Sequence, residues 1–275
     1  MSTTVDAVAS PAGGVGAVGA AGPLRGLARA ARAEHARVWS VRSSWILAGV
    51  TALAVVGLGA LVGQDAAQDP SGVPRDASAW DGAQPAAMFA LFGILALAVI
   101  TSTADHATGA IVPTLQWTPR RWVLLAARTG VLVVTLTALG VLLVAAAGVV
   151  VWLFVPGLGL PLDQGARFLG GLALVDASGA LLAVGLGLAL RSTAGGLVSV
   201  LALVLVLPPL LANLPYDWAT TITTLLPGSN VLYLLFGEGP SDDMTVTSAR
   251  LTLLAWAAGA LVAGGWRLLR SDASR

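Results

Sequence analysis

The 275-residue sequence contains no cysteine and no lysine. Without cysteine, the chain cannot form disulfides, thiolate metal sites or a thiol nucleophile. Without lysine, it cannot form a Schiff base with a carbonyl substrate. It also cannot contain the P-loop motif GxxxxGK[ST], whose lysine reaches the β- and γ-phosphates of ATP. If ATP drives this protein, another chain must bind the nucleotide.

Side chains for catalysis are also scarce. The two histidines, His35 and His106, lie in separate segments and form no HExxH or similar metal-binding pattern. No GxSxG nucleophile elbow accompanies them. We therefore predict that the chain is not an enzyme, holds no cofactor or metal of its own, and has no nucleic-acid partner.

Apolar residues, in contrast, dominate the sequence. They make up 56% of the chain, and the mean hydropathy is +0.84, well above an ordinary globular domain. A helix needs about 20 mostly apolar residues to cross a bilayer, and continuous apolar runs favour helices over a barrel. The sequence predicts an all-α integral membrane protein with six spans, at residues 45–63, 85–103, 129–155, 168–190, 194–212 and 250–266.

The arginines are distributed unevenly between the two sides of this topology. Twelve of the fifteen precede span 1, follow span 6, or lie between spans 2 and 3 or spans 4 and 5. Arg75, Arg167 and Arg250 fall on the other side, with most of the acidic residues. The positive-inside rule then predicts that both termini are cytoplasmic.

The segment before span 1 has two parts. Residues 1–22 are low in complexity and resemble no signal peptide, which favours a disordered cytoplasmic tail ahead of a six-span domain at residues 23–275. Residues 23–44 repeat apolar side chains every three or four positions, which predicts an amphipathic helix in the cytoplasmic interface. A generic basic anchor would explain its arginines equally well. The arginines of this interface helix are Arg29, Arg32, Arg37 and Arg42.

A polar connector occupies residues 102–128, between spans 2 and 3. We expect span 2 to continue as a helix to about residue 110, Pro113 to end it, and Pro119 to begin the next helix. The connector is longer than two spans need, and it ends in arginines. This predicts a surface on which another protein docks. A long loop whose arginines only set the topology is the alternative.

The longest outer segment runs from residue 213 to residue 248. It contains two apolar stretches, at 218–226 and 230–236, that are too short to cross a bilayer. We predict two short interfacial or re-entrant helices, shielded by protein or by a water-filled cavity; a plain extracellular loop is the alternative. The site residues of this segment are Trp218, Leu226, Pro227, Asn230 and Phe236.

Asp176 is the only acidic residue placed clearly within a predicted span. Carboxylates inside a membrane suggest functions such as proton coupling. Because Asp176 falls about two turns from the outer end of the span at 168–190, the sequence favours a water-exposed acid over a functional one. Small-residue pairs, Gly59 with Gly63 and Ala260 with Gly264, would permit close helix packing, although such matches also arise by chance in this composition.

The order of several motifs resembles that of bacterial ABC type-2 transporter permeases, especially the actinobacterial kind. The connector sequence DHATGAI from Asp105, TL at 114–115 and PRR at 119–121 is similar to the family signature ExxTGxIRxTL…PRR. RVWSVRSSW at 37–45 resembles KLRSVRSTWW, and LRSTAG at 190–195 resembles the turn after the fourth span. LPPL at 207–210 and the tryptophans Trp256 and Trp266 agree as well.

This resemblance implies a permease subunit in the bacterial cytoplasmic membrane that forms a homodimer or heterodimer and pairs with two copies of a separate ATPase. ATP and Mg²⁺ would then bind to the ATPase. The connector would be the coupling element, the amphipathic helix would contact the ATPase, and the outer helices would lie near the substrate exit. Asp105 stands in place of the usual glutamate, and Val112-Pro113 in place of a frequent Arg-Thr. The coupling residues carried over are Asp105, His106, Gly109, Arg120 and Arg121.

A chain of this composition is also compatible with two other classes of function. In a proton-coupled secondary transporter, Asp176 would be the central residue. A third class is a membrane-integral enzyme or a non-transport membrane assembly factor, and no catalytic cluster favours it. The transported substrate is not identifiable from the apolar spans.

Overall fold

The computed structural model describes residues 23–107 and 121–270. In these ranges every regular element is a helix, and six helical segments are long and apolar enough to cross a membrane. The predicted all-α class is therefore confirmed, with six helical segments able to span a membrane as the sequence predicted. The predicted tail at residues 1–22 lies outside the described residues.

Ten α-helices make up this part of the chain. The six spans are α2, α3, α4, α5, the α6–α7 pair and α10; α1, α8 and α9 are shorter helices outside them. The bounds are α1 Pro23–Ser40, α2 Arg42–Gln68, α3 Ala79–Ala107, α4 Arg121–Phe154, α5 Leu162–Leu190, α6 Thr193–Leu201, α7 Leu207–Ala212, α8 Asp217–Leu225, α9 Pro227–Phe236 and α10 Val246–Arg270.

Most of the spanning helices extend beyond the apolar runs that predicted them. The helix α2 continues to Gln68, although hydropathy placed the end of the span at Gly63. The helix α4 begins at Arg121, eight residues before the predicted span. Glutamine and arginine have high helix propensities, so residues such as Gln64 and Arg121 do not end a helix. The apolar run therefore gives the part within the bilayer, and the helix itself extends further.

Small residues bring the helices of the bundle close together. Gly59 of α2 faces Ala147 of α4, where an added Cβ would lie 2.9 Å from the Cβ of Ala147. Gly185 of α5 packs against the backbone of α10 at Ala260. Gly264 of α10 packs in turn against the backbone of Gly185. Both small-residue pairs noted in the sequence thus lie at helix–helix contacts.

The fifth span is interrupted in its middle. A π-helical turn at Ala202–Val206 separates α6 from α7, and the amide of Leu207 donates its hydrogen bond to the carbonyl of Ala202. Pro208 and Pro209 follow, and neither has an N–H group. The carbonyl of Val204 therefore has no helical donor, because residues 208 and 209 are the ones that would supply it. Gly228 of α9 packs directly against that carbonyl.

Contacts between helix ends define two ends of the bundle. At one end, Arg121 Nη1 lies 3.2 Å from the carbonyl oxygen of Leu269, and Arg191 Nη2 lies 3.3 Å from that of Arg267. We call this the basic end. At the opposite end, Trp80 Nε1 donates to the carbonyl of Pro161 at 3.0 Å. Arginines from three of the predicted cytoplasmic segments thus lie together at the basic end.

Replacing Gly185 by alanine is expected to destabilise the fold by about 1–3 kcal/mol, because the new methyl group would overlap with the α10 backbone at Ala260. Thermal unfolding of the purified protein in detergent measures this loss. Gly170 is on the same helix and has no neighbour within 4 Å, so Gly170→Ala is the matched control. Equal unfolding temperatures for the two variants would contradict the α5–α10 contact.

Candidate functional site

Four charged side chains meet at the basic end and join three helices. Glu34 and Arg37 come from α1, Asp105 from the end of α3, and Arg128 from the second turn of α4. Arg37 Nη1 lies 3.0 Å from Asp105 Oδ1, and Arg37 Nε lies 2.9 Å from Glu34 Oε2. Arg128 Nη2 donates to Asp105 Oδ2 and lies 3.3 Å from Glu34 Oε1. We call this group the four-charge cluster.

Helical spacing accounts for the α1 half of the cluster. Residues three apart lie on one helix face, so Glu34 and Arg37 point together toward α3 and α4. Val38 is buried beside them. Arg37 also donates from Nη2 to the carbonyl of Thr101, at 3.2 Å. The charged pair therefore fixes α1 to α3 through both a carboxylate and a backbone carbonyl.

Arg128 is the most deeply buried member. Its relative exposure is 1%, against 5% for Glu34 and 6% for Asp105. Two of its nitrogen atoms, Nε and Nη1, have no hydrogen-bond partner in the described part of the chain. The two arginines balance the two carboxylates, so the cluster has no net charge. A buried cluster of this kind depends on all its members, because removing one leaves an uncompensated charge.

The coupling residues predicted from sequence separate into distinct places. Asp105 lies in the cluster, where its carboxylate faces two arginines of this chain. His106 belongs to the last turn of α3. Arg121 begins α4 and donates to the terminal carbonyls of α10, Leu268 and Leu269. Gly109 and Arg120 lie outside the described residues.

The arginines of the predicted interface helix do not act alike. Arg37 is half-buried in the cluster, whereas Arg29, Arg32 and Arg42 are exposed. The exposed arginines give the outer face of α1, and of the first turn of α2, a positive charge. His35, on the same helix, is exposed as well.

Glu34 was missed by the sequence analysis. It is the only acidic residue in α1, and it stands three residues before Arg37. This spacing is a signal for a local ion pair. The sequence of α1 alone nonetheless indicates an exposed residue, because the acid is surrounded by arginines. Its burial depends on α3 and α4, which are distant in sequence.

The outer segment contains two short helices, close to the predicted stretches. The helices α8 and α9 meet at a bend of 74°. Asn230 is buried, and its Nδ2 donates to the carbonyls of Thr224 and Leu226 at the end of α8. Trp256 of α10 donates from Nε1 to the carbonyl of Leu225, at 2.7 Å. The broken end of α8 is thus satisfied by side chains of neighbouring helices, as a chain break in an apolar environment requires.

The other predicted residues of this segment differ in exposure. Leu226 and Pro227 are buried at the bend, Phe236 is half-buried, and Trp218 is exposed and stacks on Tyr216. A cavity of about 510 Å³ adjoins the pair. Its lining includes the hydroxyl groups of several threonine and serine side chains and the carboxylates of Asp217 and Asp243. This end of the bundle therefore presents a cavity with two acidic side chains in its wall.

The expected water exposure of Asp176 is wrong. Its relative exposure is 0%, and neither carboxylate oxygen has a hydrogen-bond partner in residues 23–107 and 121–270. The helix α5 begins at Leu162 rather than at the predicted residue 168, so Asp176 lies at its midpoint. Distance from the apparent end of the apolar run had suggested a position near water.

Comparison of the chain with protein-family models and with curated proteins gives no match. The resemblance to ABC type-2 permeases thus rests on the sequence motifs alone.

Proposed function

We propose that the chain is the membrane-spanning permease subunit of an ATP-driven exporter. It would act as a dimer, form the substrate pathway, and couple to separate ATPase subunits. One observation supports this above the others. The four-charge cluster ties α1 to the two helices that flank the connector, so a force applied to α1 or to the connector reaches α3 and α4 together.

The exposed arginines give this unit a surface for a partner. Arg29, Arg32 and Arg42 are exposed, while Arg37 holds α1 to the bundle. In this proposal the basic end faces the cytoplasm, with both termini inside, because its arginines follow the positive-inside rule. The helix α1 lies at the interface, and closure of an ATPase dimer moves it with the connector. Rigid-body motion of the spans then opens and closes a pathway between two copies.

Within this proposal, Asp105 acts as a positioning residue. Its carboxylate is engaged by Arg37 and Arg128, so it fixes where the connector leaves α3. Arg120 remains the candidate for direct contact with the ATPase. The outer helices α8 and α9 act as a re-entrant pair beside the exit, and their acidic cavity is the last protein surface that a substrate passes.

Replacing Arg120 by glutamate is expected to abolish ATP-driven export while leaving insertion and folding unchanged. The reason is that the variant reverses the charge of the docking surface. The measurement is efflux from vesicles containing the protein and its co-purified ATPase, with and without ATP. Arg121→Glu is a less clean test, because Arg121 also caps the end of α10.

Arg75 supplies the matched control, since it is an exposed arginine in the loop between α2 and α3, at the opposite end of the bundle. Arg75→Glu should retain export and ATPase binding. Unchanged ATP-dependent export in Arg120→Glu would contradict its coupling role. Failure of any P-loop ATPase to co-purify with the wild-type chain would contradict the function as a whole.

A second candidate, a proton-coupled secondary transporter, has one observation in its favour, the buried carboxyl of Asp176. It predicts flux that follows a proton gradient without an ATPase and is lost in Asp176→Asn. Reconstituting the chain alone in vesicles distinguishes the two functions, because the exporter subunit should show no such flux.

A further inference from the structure

Asp176 occupies a position at which an ionised carboxylate is strongly disfavoured. It lies at the midpoint of α5 and is completely buried, and both oxygens lack a hydrogen-bond partner among the described residues. Charged groups in such surroundings are costly, and a carboxyl group avoids the cost by binding a proton. An apolar residue would fill the same space without this problem, so the carboxyl calls for an explanation.

Among the described residues, no cation lies opposite Asp176 to neutralise it. The helices packed on α5 are α3, α4, α6, α9 and α10. Within the described ranges, their charged groups occur only near their ends, and α6 and α9 have none; Tyr233 of α9 donates to the carbonyl of Met244. On α5 itself, Asp163 and Arg167 pair near its start. The charged groups on the other helices are Asp81 and Asp105 of α3, Arg121 and Arg128 of α4, and Arg250, Arg267 and Arg270 of α10.

The surroundings also do not suit a metal cation. Sodium or calcium requires several oxygen ligands, and in residues 23–107 and 121–270 no group of three acidic or histidine side chains forms such a set. The nearby hydroxyl of Ser178 donates to the carbonyls of Leu174 and Val175. A proton needs only the carboxyl itself, so the proton is the ligand that this position fits.

A glycine on the neighbouring helix makes room for the carboxyl group. A Cβ added to Gly140 of α4 would overlap with Oδ2 of Asp176 and with Cδ1 of Ile94. The side chain is therefore packed against α4, and it stays shielded from water as long as α4 and α5 are in contact. One turn before Gly140, the buried hydroxyl of Thr137 also has no partner in the described part of the chain. The α4 helix thus carries a second polar group that this packing does not satisfy.

We propose that Asp176 is a proton-binding site that holds its proton while α4 and α5 are packed at Gly140, so that separation of these helices is coupled to proton release. The acid dissociates as –COOH to –COO⁻ plus H⁺, and the proton passes to water that enters between the helices. Because the packed state binds the proton more tightly than a solvated carboxylate does, low pH favours the packed state. Rising pH weakens it.

Infrared spectroscopy of the purified full-length protein at neutral pH tests the first half of the proposal. The wild-type protein should show the carbonyl stretching band of a protonated carboxylic acid, and Asp176→Asn should lose it. The matched control is Asp163→Asn on the same helix, since Asp163 is exposed and paired with Arg167; that variant should keep the band. Identical spectra for wild type and Asp176→Asn would overturn the proposal.

The pH dependence of unfolding tests the second half. If one proton is released when the helices separate, the unfolding equilibrium of the wild-type protein should shift by up to about tenfold per pH unit more than that of Asp176→Asn. The shift should go toward unfolding as pH rises. Parallel pH profiles for the two proteins would overturn the link between helix packing and the proton.

Discussion

Replacing Arg128 by leucine is expected to destabilise the protein by about 3–5 kcal/mol, the usual cost of breaking a buried ion cluster. The variant leaves Glu34 and Asp105 buried with only Arg37 to neutralise them. We expect α1 to detach first, because Arg128 contacts both α1 and α3. Thermal unfolding in detergent gives the loss of stability, and limited proteolysis shows whether α1 is released.

The balance of charge supplies a sharp control for this prediction. A double variant combines Arg128→Leu with Asp105→Asn. In it, Glu34 and Arg37 remain as a neutral pair, so much of the stability should return. Arg29→Leu removes an exposed arginine of α1 and should have little effect. If Arg128→Leu is as stable as Arg29→Leu, the cluster does not hold the basic end together.

Replacing Gly228 by valine should have a similarly large effect at the other end of the bundle. Any Cβ at this position would overlap with the carbonyl of Val204, a backbone group that cannot rotate away, and would lie 2.7 Å from Cγ of Pro208. We expect α9 to move off the fifth span and the protein to lose about 3 kcal/mol or more, at the upper end of overpacking costs. If the function proposed above is right, export falls as well.

Gly259 on α10 has no neighbour within 4 Å, so Gly259→Val measures the cost of valine in a spanning helix without a clash. The difference in unfolding temperature between the two variants isolates the contact of α9 with the π-helical turn. Crosslinking between cysteines introduced on α7 and α9 would report displacement directly, because the native chain has no cysteine to interfere. Similar stability of the two variants would show that α9 does not rest on Val204.

The spans were predictable because each consists of a run of apolar residues longer than a soluble protein can use. The two short outer helices were predictable for a related reason: proline and glycine mark the break at Pro227-Gly228. The breaks within the spans were less visible. Pro208-Pro209 was noted as a motif. The π-helical turn before it was not predicted, because it depends on which backbone amides remain to donate hydrogen bonds to the carbonyls of that turn.

Contacts between distant residues account for most of what the sequence did not predict. Nothing near Arg128 in the sequence identifies Glu34 as its partner, because 94 residues separate them. Arg128 was assigned to a cytoplasmic connector by its charge, and only the packing of α1 over α3 and α4 shows that it is buried. Asp176 was misplaced for a similar reason, since the helix α5 starts earlier than its hydropathy indicates.

The four-charge cluster also imposes an order on biosynthesis. Glu34 and Arg37 are synthesised first and neutralise each other within one helix turn. Asp105 follows after the first two spans and adds an unmatched negative charge, and Arg128 restores neutrality only when the third span begins to emerge. Until that point the nascent bundle cannot close its basic end at low cost. The first three spans should therefore mature as one unit, and a chain that stalls before residue 128 should remain exposed to quality-control proteases.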